Sequence, residues 1–538
     1  MRGLLATSIG VTCAAALALP LTPPAAATPA ASTRAAPAAK APAEGAEAPA
    51  AHAPAAAPDA PDAPNAPERA QRPDAPDLPD SPDLPGSTQS LRLTPLHQNR
   101  ATNAPAAAEA GLARRDVRRF SLLGVVWDDP DTALHGRVQV RTRAAGTGTW
   151  SGWQDVETHN DDHGADPDTA ERTSGHVRGA TAPLWVGDSD GVEIRVRAEP
   201  DPADRTGRAA AGLPEGLRLE LVDPGSADDG TTGGGTAGGG TTGGGTTDDG
   251  TTDDGTATGE VRHAPVDTPR TGPLDTPGEA APAGLGAETR AASAANTGLT
   301  GVPLGATEIP ALDQEQTQRE LLTLPDADLT DSQRANPKIG PRPRIVTRHG
   351  WGADEKLREK TFVYTKKVKA AFVHHTATGN KYSCSQAPSV IRGIYRYHVK
   401  SMGWRDIGYN FLVDKCGTIY EGRAGGVAKP VLGAHTLGFN TNSMGIAVLG
   451  TFTSTKPSSA TVKAIGSLTA WKLGLYGMDP RGKTYLTSGG GNLYRKGKKV
   501  RLNVISGHRD GFATDCPGTQ LYGKLGSARS TAASLQGR

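Results

Sequence analysis

Aromatic side chains are scarce in this sequence of 538 residues. They make up only 4% of the chain, whereas glycine (68 residues) and proline (42 residues) are abundant. A chain of this composition cannot bury a hydrophobic core along its whole length. The globular part must therefore be much shorter than the sequence, and long stretches must serve as linkers.

A long apolar run is also lacking. The mostly Ala/Leu stretch that ends at Leu21 follows one basic residue, Arg2. It is shorter than the ~20 residues that a membrane-spanning helix needs. It leads to Ala25-Ala26-Ala27, a small-residue cleavage site. We predict a signal peptide and a secreted, extracellular or wall-associated protein with no stable membrane anchor after cleavage; an uncleaved anchor is the alternative.

The net charge of +1 hides an uneven distribution of charge along the chain. From Lys338 to Arg538 there are about 32 Lys/Arg against about 9 Asp/Glu, so the rest of the chain is acidic. A basic domain of this kind attracts polyanions, and nucleic acid and anionic cell-wall polymers are the two candidates. Because export is predicted, we expect wall polymers and no nucleic acid.

Six segments follow from composition and patterning. They are a signal peptide (1–27), an Ala/Pro/Asp-rich disordered tether (28–89), a β-rich domain of unknown role (90–222), a Gly/Thr/Asp-rich linker (223–305), a connecting segment (306–343) and a C-terminal domain (344–530). Alternating apolar and charged residues predict a β-sandwich for 90–222. In 344–530, strand-like and helical patterns alternate, which predicts an α/β domain with a mixed central β-sheet and flanking helices.

Two imidazoles and one thiol stand out in the C-terminal domain. The strand-like run 370–373 ends in the pair His374-His375, and Gly507-His508-Arg509-Asp510 precedes Cys516 by a few residues. His374, His508 and Cys516 make three zinc ligands, and a hydrolytic zinc site keeps its fourth position open. A metal-dependent hydrolase is the first hypothesis, with one Zn²⁺ per chain.

The cysteine count agrees with this assignment. Cys13 lies in the predicted signal peptide, which leaves Cys384, Cys416 and Cys516 in the exported chain. Three is an odd number, so in an oxidising compartment one thiol must be unpaired or bound otherwise. We pair Cys384 with Cys416 and leave Cys516 for the metal; pairings that include Cys516 are the alternative.

The sequence from about Arg344 to Leu525 resembles the peptidoglycan recognition proteins and the related type 2 zinc-dependent N-acetylmuramoyl-L-alanine amidases. The motifs that carry the resemblance are Arg348-His349-Gly350-Trp351-Gly352-Ala353, Phe372-Val373-His374-His375-Thr376-Ala377, Gly403-Trp404-Arg405-Asp406-Ile407-Gly408-Tyr409-Asn410-Phe411, Ile419-Tyr420-Glu421-Gly422-Arg423, Gly433-Ala434-His435-Thr436, Asn440, Ser443-Met444-Gly445-Ile446-Ala447, Gly507-His508-Arg509-Asp510 and Cys516-Pro517-Gly518. The motifs occur in the family's order.

The resemblance implies roles for particular residues. The family's metal ligands fall on His374, His508 and Cys516. Tyr409 matches an active-site tyrosine, whose phenol can donate a hydrogen bond to the oxyanion of a tetrahedral intermediate. Thr514 stands where some relatives have a lysine, so it can donate a hydrogen bond but brings no positive charge. Ala447 replaces a glutamate of the intracellular amidases, which act on recycled wall fragments.

Five further residues resemble groove residues that contact the muramyl peptide: His375, Trp404, Arg423, His435 and Asn440. Each has a purely structural alternative. Trp404 could cap the core, Arg423 could pair with Glu421, and His435 could lie in a surface loop. The residues after the Tyr-Glu-Gly-Arg motif, which help to distinguish stem peptides in animal relatives, match neither usual pair.

Two functions remain for the C-terminal domain. One is a monomeric, exported amidase that cleaves the bond between N-acetylmuramic acid and L-alanine in peptidoglycan; the other is a protein that binds peptidoglycan without cutting it. Cys516 favours the amidase, because family members that only bind lack the cysteine. For the β-rich domain, Trp127, Trp150, Trp153 and Trp185 could stack on sugar rings or belong to the core.

Overall fold

The computed structural model describes residues 86–96, 108–158, 160, 162–199, 212–225, 285–324 and 329–538. The predicted signal peptide, nearly all of the predicted tether and most of the predicted linker lie outside these ranges. The described residues belong to one compact unit that begins at Asp77. None of the helices within them is both long enough and apolar enough to cross a membrane.

The N-terminal part is all β, as predicted. Its strands are β1 (Ser87–Arg92), β2 (Thr94–Pro95), β3 (Glu109–Trp127), β4 (Gly136–Ala144), β5 (Gln154–Val156), β6 (Gly179–Ala180), β7 (Leu184–Ala198) and β8 (Arg218–Asp223). They pair antiparallel in the order β1-β8-β3-β7-β4-β5, while β2 and β6 add to β3. The strand β3 changes register with β7 at three irregularities, and it pairs with β8 along its other edge.

The C-terminal part is an α/β domain with a mixed sheet, which confirms the predicted fold class. Its elements are α1 (Ala287–Ala294), β9 (Glu308–Ile309), α2 (Gln314–Thr323), α3 (Asp331–Ala335), β10 (Ile345–Val346), β11 (Ala370–His375), α4 (Ala387–Arg396), β12 (Phe411–Val413), β13 (Ile419–Glu421), β14 (Ser443–Val448), α5 (Ser459–Gly474), β15 (Lys483–Thr487), β16 (Lys499–Asn503), β17 (Ile505–Gly507), α6 (Thr519–Tyr522) and α7 (Leu525–Leu535). The main sheet has the order β17-β11-β14-β12-β13-β10-β9, with parallel and antiparallel pairs.

Helices cover both faces of this sheet. Met444, Ile446 and Val448 of β14 point into a cluster with apolar residues of α5 and α7. The alternate residue Ala447 points to the other face, into a cluster with α4. Burial on both faces explains why β14 is apolar at nearly every position. The disulfide Cys384–Cys416 joins the segment before α4 to the β12–β13 turn, and Cys516 is a free, buried thiol.

The β-domain packs directly on α4 and on the π-helical turn Tyr397–Ser401 that continues it. Leu123, Val125 and Trp127 of β3 face the core of the β-domain. Leu122 and Val126 face the opposite way and share a cluster with residues of α4. The end of β3 is therefore buried on both faces, and the two domains have a continuous hydrophobic core.

The segment around α1 lies inside the predicted flexible linker (223–305), but the structure shows that it is ordered. The Asn296 side chain donates a hydrogen bond to Oε1 of Glu421 (3.0 Å) and accepts one from the backbone N–H of Val427 (2.8 Å). At the other end of the linker, the Arg392 guanidinium donates hydrogen bonds to the carbonyl oxygens of Pro224 (3.2 Å) and Gly225 (2.9 Å). The linker prediction was therefore too long at both ends.

The four tryptophans of the β-domain have different surroundings. Trp127 and Trp185 are buried, which agrees with the core alternative for these two. The Arg114 guanidinium lies 4.9 Å from the ring centroid of Trp150. The guanidinium groups of Arg141 and Arg195 lie 4.9 and 4.3 Å from that of Trp153. These contacts are intramolecular cation–π interactions, so they do not point to a sugar-binding surface.

Gly124 provides a test of the domain interface. A Cβ atom at this position would lie 2.3 Å from Oη of Tyr397, whose hydroxyl donates a hydrogen bond to the carbonyl oxygen of Thr181 (3.1 Å). We expect Gly124→Ala to lower the free energy of unfolding by about 1–3 kcal/mol, because the buried tyrosine must move. Denaturant unfolding of the full chain measures this. Gly152→Ala is the matched control, since its Cβ would meet no atom within 4 Å. Equal stability of the two variants would contradict the tight contact.

Candidate metal centre and binding groove

The sheet topology explains why His374 and His508 come together. The strands β11 and β17 are parallel neighbours, so their C-terminal ends lie at the same edge of the sheet. His374 is the penultimate residue of β11, and His508 directly follows β17. The loop that follows His508 brings Cys516 to the same edge of the sheet. The backbone carbonyl of Cys516 accepts a hydrogen bond from the N–H of Arg509 (3.1 Å).

The three residues have the separations that a metal ion needs. Nδ1 of His374 lies 3.1 Å from Nδ1 of His508 and 3.8 Å from Sγ of Cys516. Tetrahedral Zn²⁺ with normal bond lengths would place two nitrogen ligands about 3.3 Å apart and a nitrogen and a sulfur about 3.6 Å apart. The donor set is also the one that zinc prefers. The residues therefore fit the metal that the sequence predicts.

Burial prepares the two histidines as ligands. Burial and the neighbouring imidazole of His508 hold the pKa of His374 well below its usual value. Burial likewise lowers the pKa of His508 to about 3, although the Asp162 carboxylate opposes this shift. Both imidazoles are therefore neutral, as metal ligands must be. Burial and the Asp162 carboxylate raise the pKa of the Cys516 thiol well above its usual value, so a bound cation is needed to ionise it.

A polar contact holds the ring of His374 at Nε2, the nitrogen that does not face His508 and Cys516. Its Nε2 lies 3.4 Å from Oγ1 of Thr436, and the same hydroxyl lies 3.0 Å from Nδ1 of His435. Such contacts fix the orientation of a metal-binding imidazole. His435 is fully buried, which excludes the surface-loop alternative. Its ring is 5.3 Å from that of His374, so it borders the metal centre.

Tyr409 and Thr514 both lie beside the cluster. The ring centroids of Tyr409 and His374 are 5.5 Å apart. Burial, together with Cys516 and Asp162, raises the pKa of Tyr409 well above its usual value, so its phenol stays protonated and can donate a hydrogen bond. Thr514 is partly exposed, and its hydroxyl accepts a hydrogen bond from the backbone N–H of Cys516 (3.1 Å). This contact supports the loop that carries the thiol.

His375 points away from the three-residue cluster. Its Nδ1 accepts a hydrogen bond from the backbone N–H of Phe452 (3.3 Å), and burial lowers its pKa to about 4. The side chain lines a cleft of about 590 Å³ that also reaches Thr514 and Cys516. A neutral imidazole in this position can contact a ligand in the cleft.

A loop of the β-domain (residues 162–177, between β5 and β6) covers the other predicted groove residues. Arg423 does not pair with Glu421, as the structural alternative proposed, but with Glu171 of this loop through two hydrogen bonds of 2.8 and 2.9 Å. The Asn440 amide donates hydrogen bonds to the carbonyl oxygen of Gly164 (2.8 Å) and to Asp166 (2.7 Å). Trp404 is buried in one apolar cluster with Ala165 and Val177.

The same loop brings a further histidine, His163, to the candidate metal centre. One ring nitrogen of His163 and the ligand atoms of His374, His508 and Cys516 all lie within 4.8 Å of one another. Nδ1 of His163 is 2.8 Å from the Asp162 carboxylate, whose other oxygen is 3.6 Å from Nδ1 of His508. Burial by itself would raise the pKa of Asp162, but His163 and His508 lower it below the usual value. A carboxylate charge therefore lies beside the cluster.

The sequence motifs did not predict His163, Asp162, Asp166 or Glu171 as site residues. These residues belong to the domain whose role was unknown, more than 200 positions before the α/β ligands. The available signal was an acidic, turn-rich stretch with an adjacent Asp-His pair, since a carboxylate often supports a metal-binding imidazole. That signal is common in surface loops, so it could not single out the contact.

Parts of this sequence are similar to known proteins. Residues 364–519 match the N-acetylmuramoyl-L-alanine amidase family, and residues 78–213 match a family described as Rv3811 N-terminal galactose-binding domain-like. The peptidoglycan-recognition protein SC2 of Drosophila simulans is 31% identical over 183 residues, which are 34% of this chain and 84% of that protein. The human N-acetylmuramoyl-L-alanine amidase is 28% identical over 224 residues, which are 40% of this chain and 33% of that protein.

Solved structures of peptidoglycan-recognition proteins also match part of this chain. The wild-type Drosophila peptidoglycan-recognition protein LB is 26% identical and covers 34% of this chain and 92% of its own, with a TM-score of 0.28. The SC2 protein is more than 30% identical to this chain over most of its own length. The chain therefore belongs to the family that unites the peptidoglycan-recognition proteins with the type 2 N-acetylmuramoyl-L-alanine amidases.

Proposed function

We propose that the protein is an exported, zinc-dependent amidase that cleaves the bond between the lactyl group of N-acetylmuramic acid and L-alanine in peptidoglycan. The observation that carries the proposal is the buried cluster of His374, His508 and Cys516, with Nδ1 and Sγ atoms 3.1 to 3.8 Å apart. Membership of the amidase family supports the reaction, and the basic α/β domain supports a wall polymer as partner.

The three ligands would hold one Zn²⁺ ion. When bound, the ion would polarise the scissile carbonyl and lower the pKa of a water molecule in its open position. Tyr409 would donate a hydrogen bond from its protonated phenol to the oxygen that becomes negative in the tetrahedral intermediate. Thr514 would keep the Cys516 loop in place through the 3.1 Å hydrogen bond to its backbone.

The reaction adds one water molecule across the amide. Its oxygen joins the lactyl carbonyl carbon, the carbon–nitrogen bond breaks, and the nitrogen of L-alanine receives a proton. The products are an intact glycan strand with a lactyl carboxylate and a free stem peptide with an N-terminal amine. Of the predicted groove residues, Arg423 and Asn440 carry the charge and amide donors that suit stem-peptide carboxylates and carbonyls.

Extended digestion of purified peptidoglycan by the full chain tests the proposal. We expect mass analysis to find free stem peptides with an L-alanine amine and unshortened glycan strands. Chelation should abolish product formation, because the three ligands alone cannot polarise the amide, and added Zn²⁺ should restore it. Shortened glycans, or identical products with and without the chelator, would refute a zinc amidase. Tight binding to peptidoglycan without any new amine, by the full chain and also by its His163→Ala variant, would instead favour a recognition protein.

A further inference from the structure

We propose that loop 162–177 of the β-domain closes the metal centre from within the same chain, with His163 as a fourth protein ligand, and that the protein is latent until this loop is displaced. The inference rests on the proposed function, because it concerns the zinc site of that amidase. It assigns a role to the β-domain.

The surroundings of His163 are those of a metal ligand. Its side chain is 8% exposed, and among the described residues its Nε2 has no hydrogen-bond partner. A buried ring nitrogen without a partner is costly, so it calls for an explanation. The other nitrogen, Nδ1, contacts Asp162 at 2.8 Å. A carboxylate on one ring nitrogen is the usual support of a zinc-binding histidine. One ring nitrogen of His163 also lies within 4.8 Å of the ligand atoms of His374, His508 and Cys516.

A fourth ligand has a chemical consequence. Zinc sites that hydrolyse a substrate have three protein ligands and one position open to water or substrate, whereas sites with four protein ligands are closed. With His163 in place, the cluster has the donor count of a closed site. Hydrolysis then requires that the His163 ring leave and that water or substrate take its position.

The rest of the loop occupies the groove where a substrate would bind. Glu171 accepts hydrogen bonds from both terminal nitrogens of Arg423, at 2.8 and 2.9 Å, and also from the backbone N–H of Arg405 at 3.2 Å. Asp166 accepts from the N–H of Gly438 (2.8 Å) and from the Asn440 amide (2.7 Å). Both carboxylates are buried. The loop thus binds the same donors that the substrate hypothesis assigns to the stem peptide.

Charge and backbone contacts keep the loop in this position. Asp168 forms an ion pair with Lys496 at the edge of the groove, and the backbone N–H of Leu437 donates a hydrogen bond to the carbonyl oxygen of Asp162 (3.0 Å). An acidic loop therefore meets a basic domain, in agreement with the opposite charges that the two parts of the sequence carry. A peptidoglycan fragment with its own carboxylates would compete for the same positions.

Cobalt substitution in the full chain tests the fourth ligand without relying on activity. Visible absorption of bound Co²⁺ depends on its ligands, and azide can bind only where a position is open. In the wild type we expect no spectral change on addition of azide. In His163→Ala we expect a changed spectrum that shifts further with azide, which can enter through the cleft of about 590 Å³ that borders His163 and Cys516. His176→Ala, an exposed histidine of the same loop, should behave as the wild type.

Activity on soluble muramyl peptide provides the second readout. We expect His163→Ala to raise the rate at least about tenfold, since the site gains an open position. The double variant Asp166→Asn/Glu171→Gln keeps His163 but weakens the contacts of the loop with Asn440 and Arg423. We therefore expect it to raise the rate as well, and we expect its own cobalt spectrum to respond to azide. This variant covers the case in which His163→Ala does not fold.

The outcomes separate the two proposals. If azide shifts the wild-type spectrum as strongly as that of His163→Ala, or if both variants have wild-type spectra and rates, the loop does not close the site and the inference is wrong. In that case Co²⁺ binding and activity of Cys516→Ser still test the proposed zinc amidase. If Cys516→Ser binds Co²⁺ as the wild type does and no variant releases an L-alanine amine, the zinc site itself is wrong.

Discussion

Cys516→Ser is expected to lose the bound metal and to lower amidase activity by about a thousandfold or more. Loss of a supporting residue around a metal typically weakens metal affinity 10- to 100-fold, and loss of a thiolate ligand should weaken it at least as much. The metal stabilises the transition state by several kcal/mol, which corresponds to a factor of about a thousand in the rate. Mass spectrometry of the bound metal tests the first expectation, and the rate on muramyl peptide tests the second. Both are measured in the wild-type and in the His163→Ala background.

A stability comparison shows whether the effect of Cys516→Ser comes from the metal. Cys516 is buried and its Sγ contacts the carbonyl oxygen of His375 (3.9 Å), so a serine fits the same space. Bound metal stabilises the folded state. The wild type should therefore melt at a higher temperature than Cys516→Ser in the presence of Zn²⁺, and the two should melt together after chelation. A difference that persists without metal would point to a packing defect.

Tyr409→Phe should retain the metal and lower kcat by about 100-fold, with little change in KM. Removal of one hydrogen-bond donor to a developing oxyanion typically costs a factor of 10² to 10³ in kcat. The ring of Tyr409 lies 5.5 Å from that of His374, and its phenol stays protonated because burial raises its pKa. Steady-state kinetics on soluble muramyl peptide, together with metal analysis, test this expectation.

The matched control for Tyr409→Phe is Tyr485→Phe, because Tyr485 is 59% exposed and lies on the β15–β16 hairpin. It should have wild-type kinetics. If Tyr409→Phe loses metal in proportion to activity, the tyrosine supports the fold of the site. If kcat is unchanged and the metal is retained, the phenol takes no part in the reaction.

The local features of the metal centre could be predicted from the sequence. The strand-like run 370–373 located β11 to within two residues, because its apolar side chains are buried on both faces of the sheet. His374 and His508 follow strands, and parallel strands bring such positions to the same edge of a sheet. The disulfide Cys384–Cys416 could be inferred from the odd number of cysteines once Cys516 was assigned to the metal.

Contacts between distant segments could not be predicted. In the sequence, Arg423 could pair with any nearby carboxylate. It pairs with Glu171 because the β-domain packs on α4. That packing depends in turn on the end of β3, which is buried on both faces. In the sequence, the apolar run at the end of β3 does not reveal which partner covers its second face. For the same reason the Asp162-His163 pair could not show in the sequence which site it would reach.

Both ends of the long linker are ordered, so the sequence between them only has to connect two fixed points. Arg392 holds Gly225 and Glu421 holds Asn296, so both ends are fixed to the same rigid body. A chain between two fixed points contributes mainly a loop-closure entropy, and doubling its length costs only about 0.6 kcal/mol. The Gly/Thr/Asp repeats can therefore expand or contract during evolution with almost no effect on the geometry of the site.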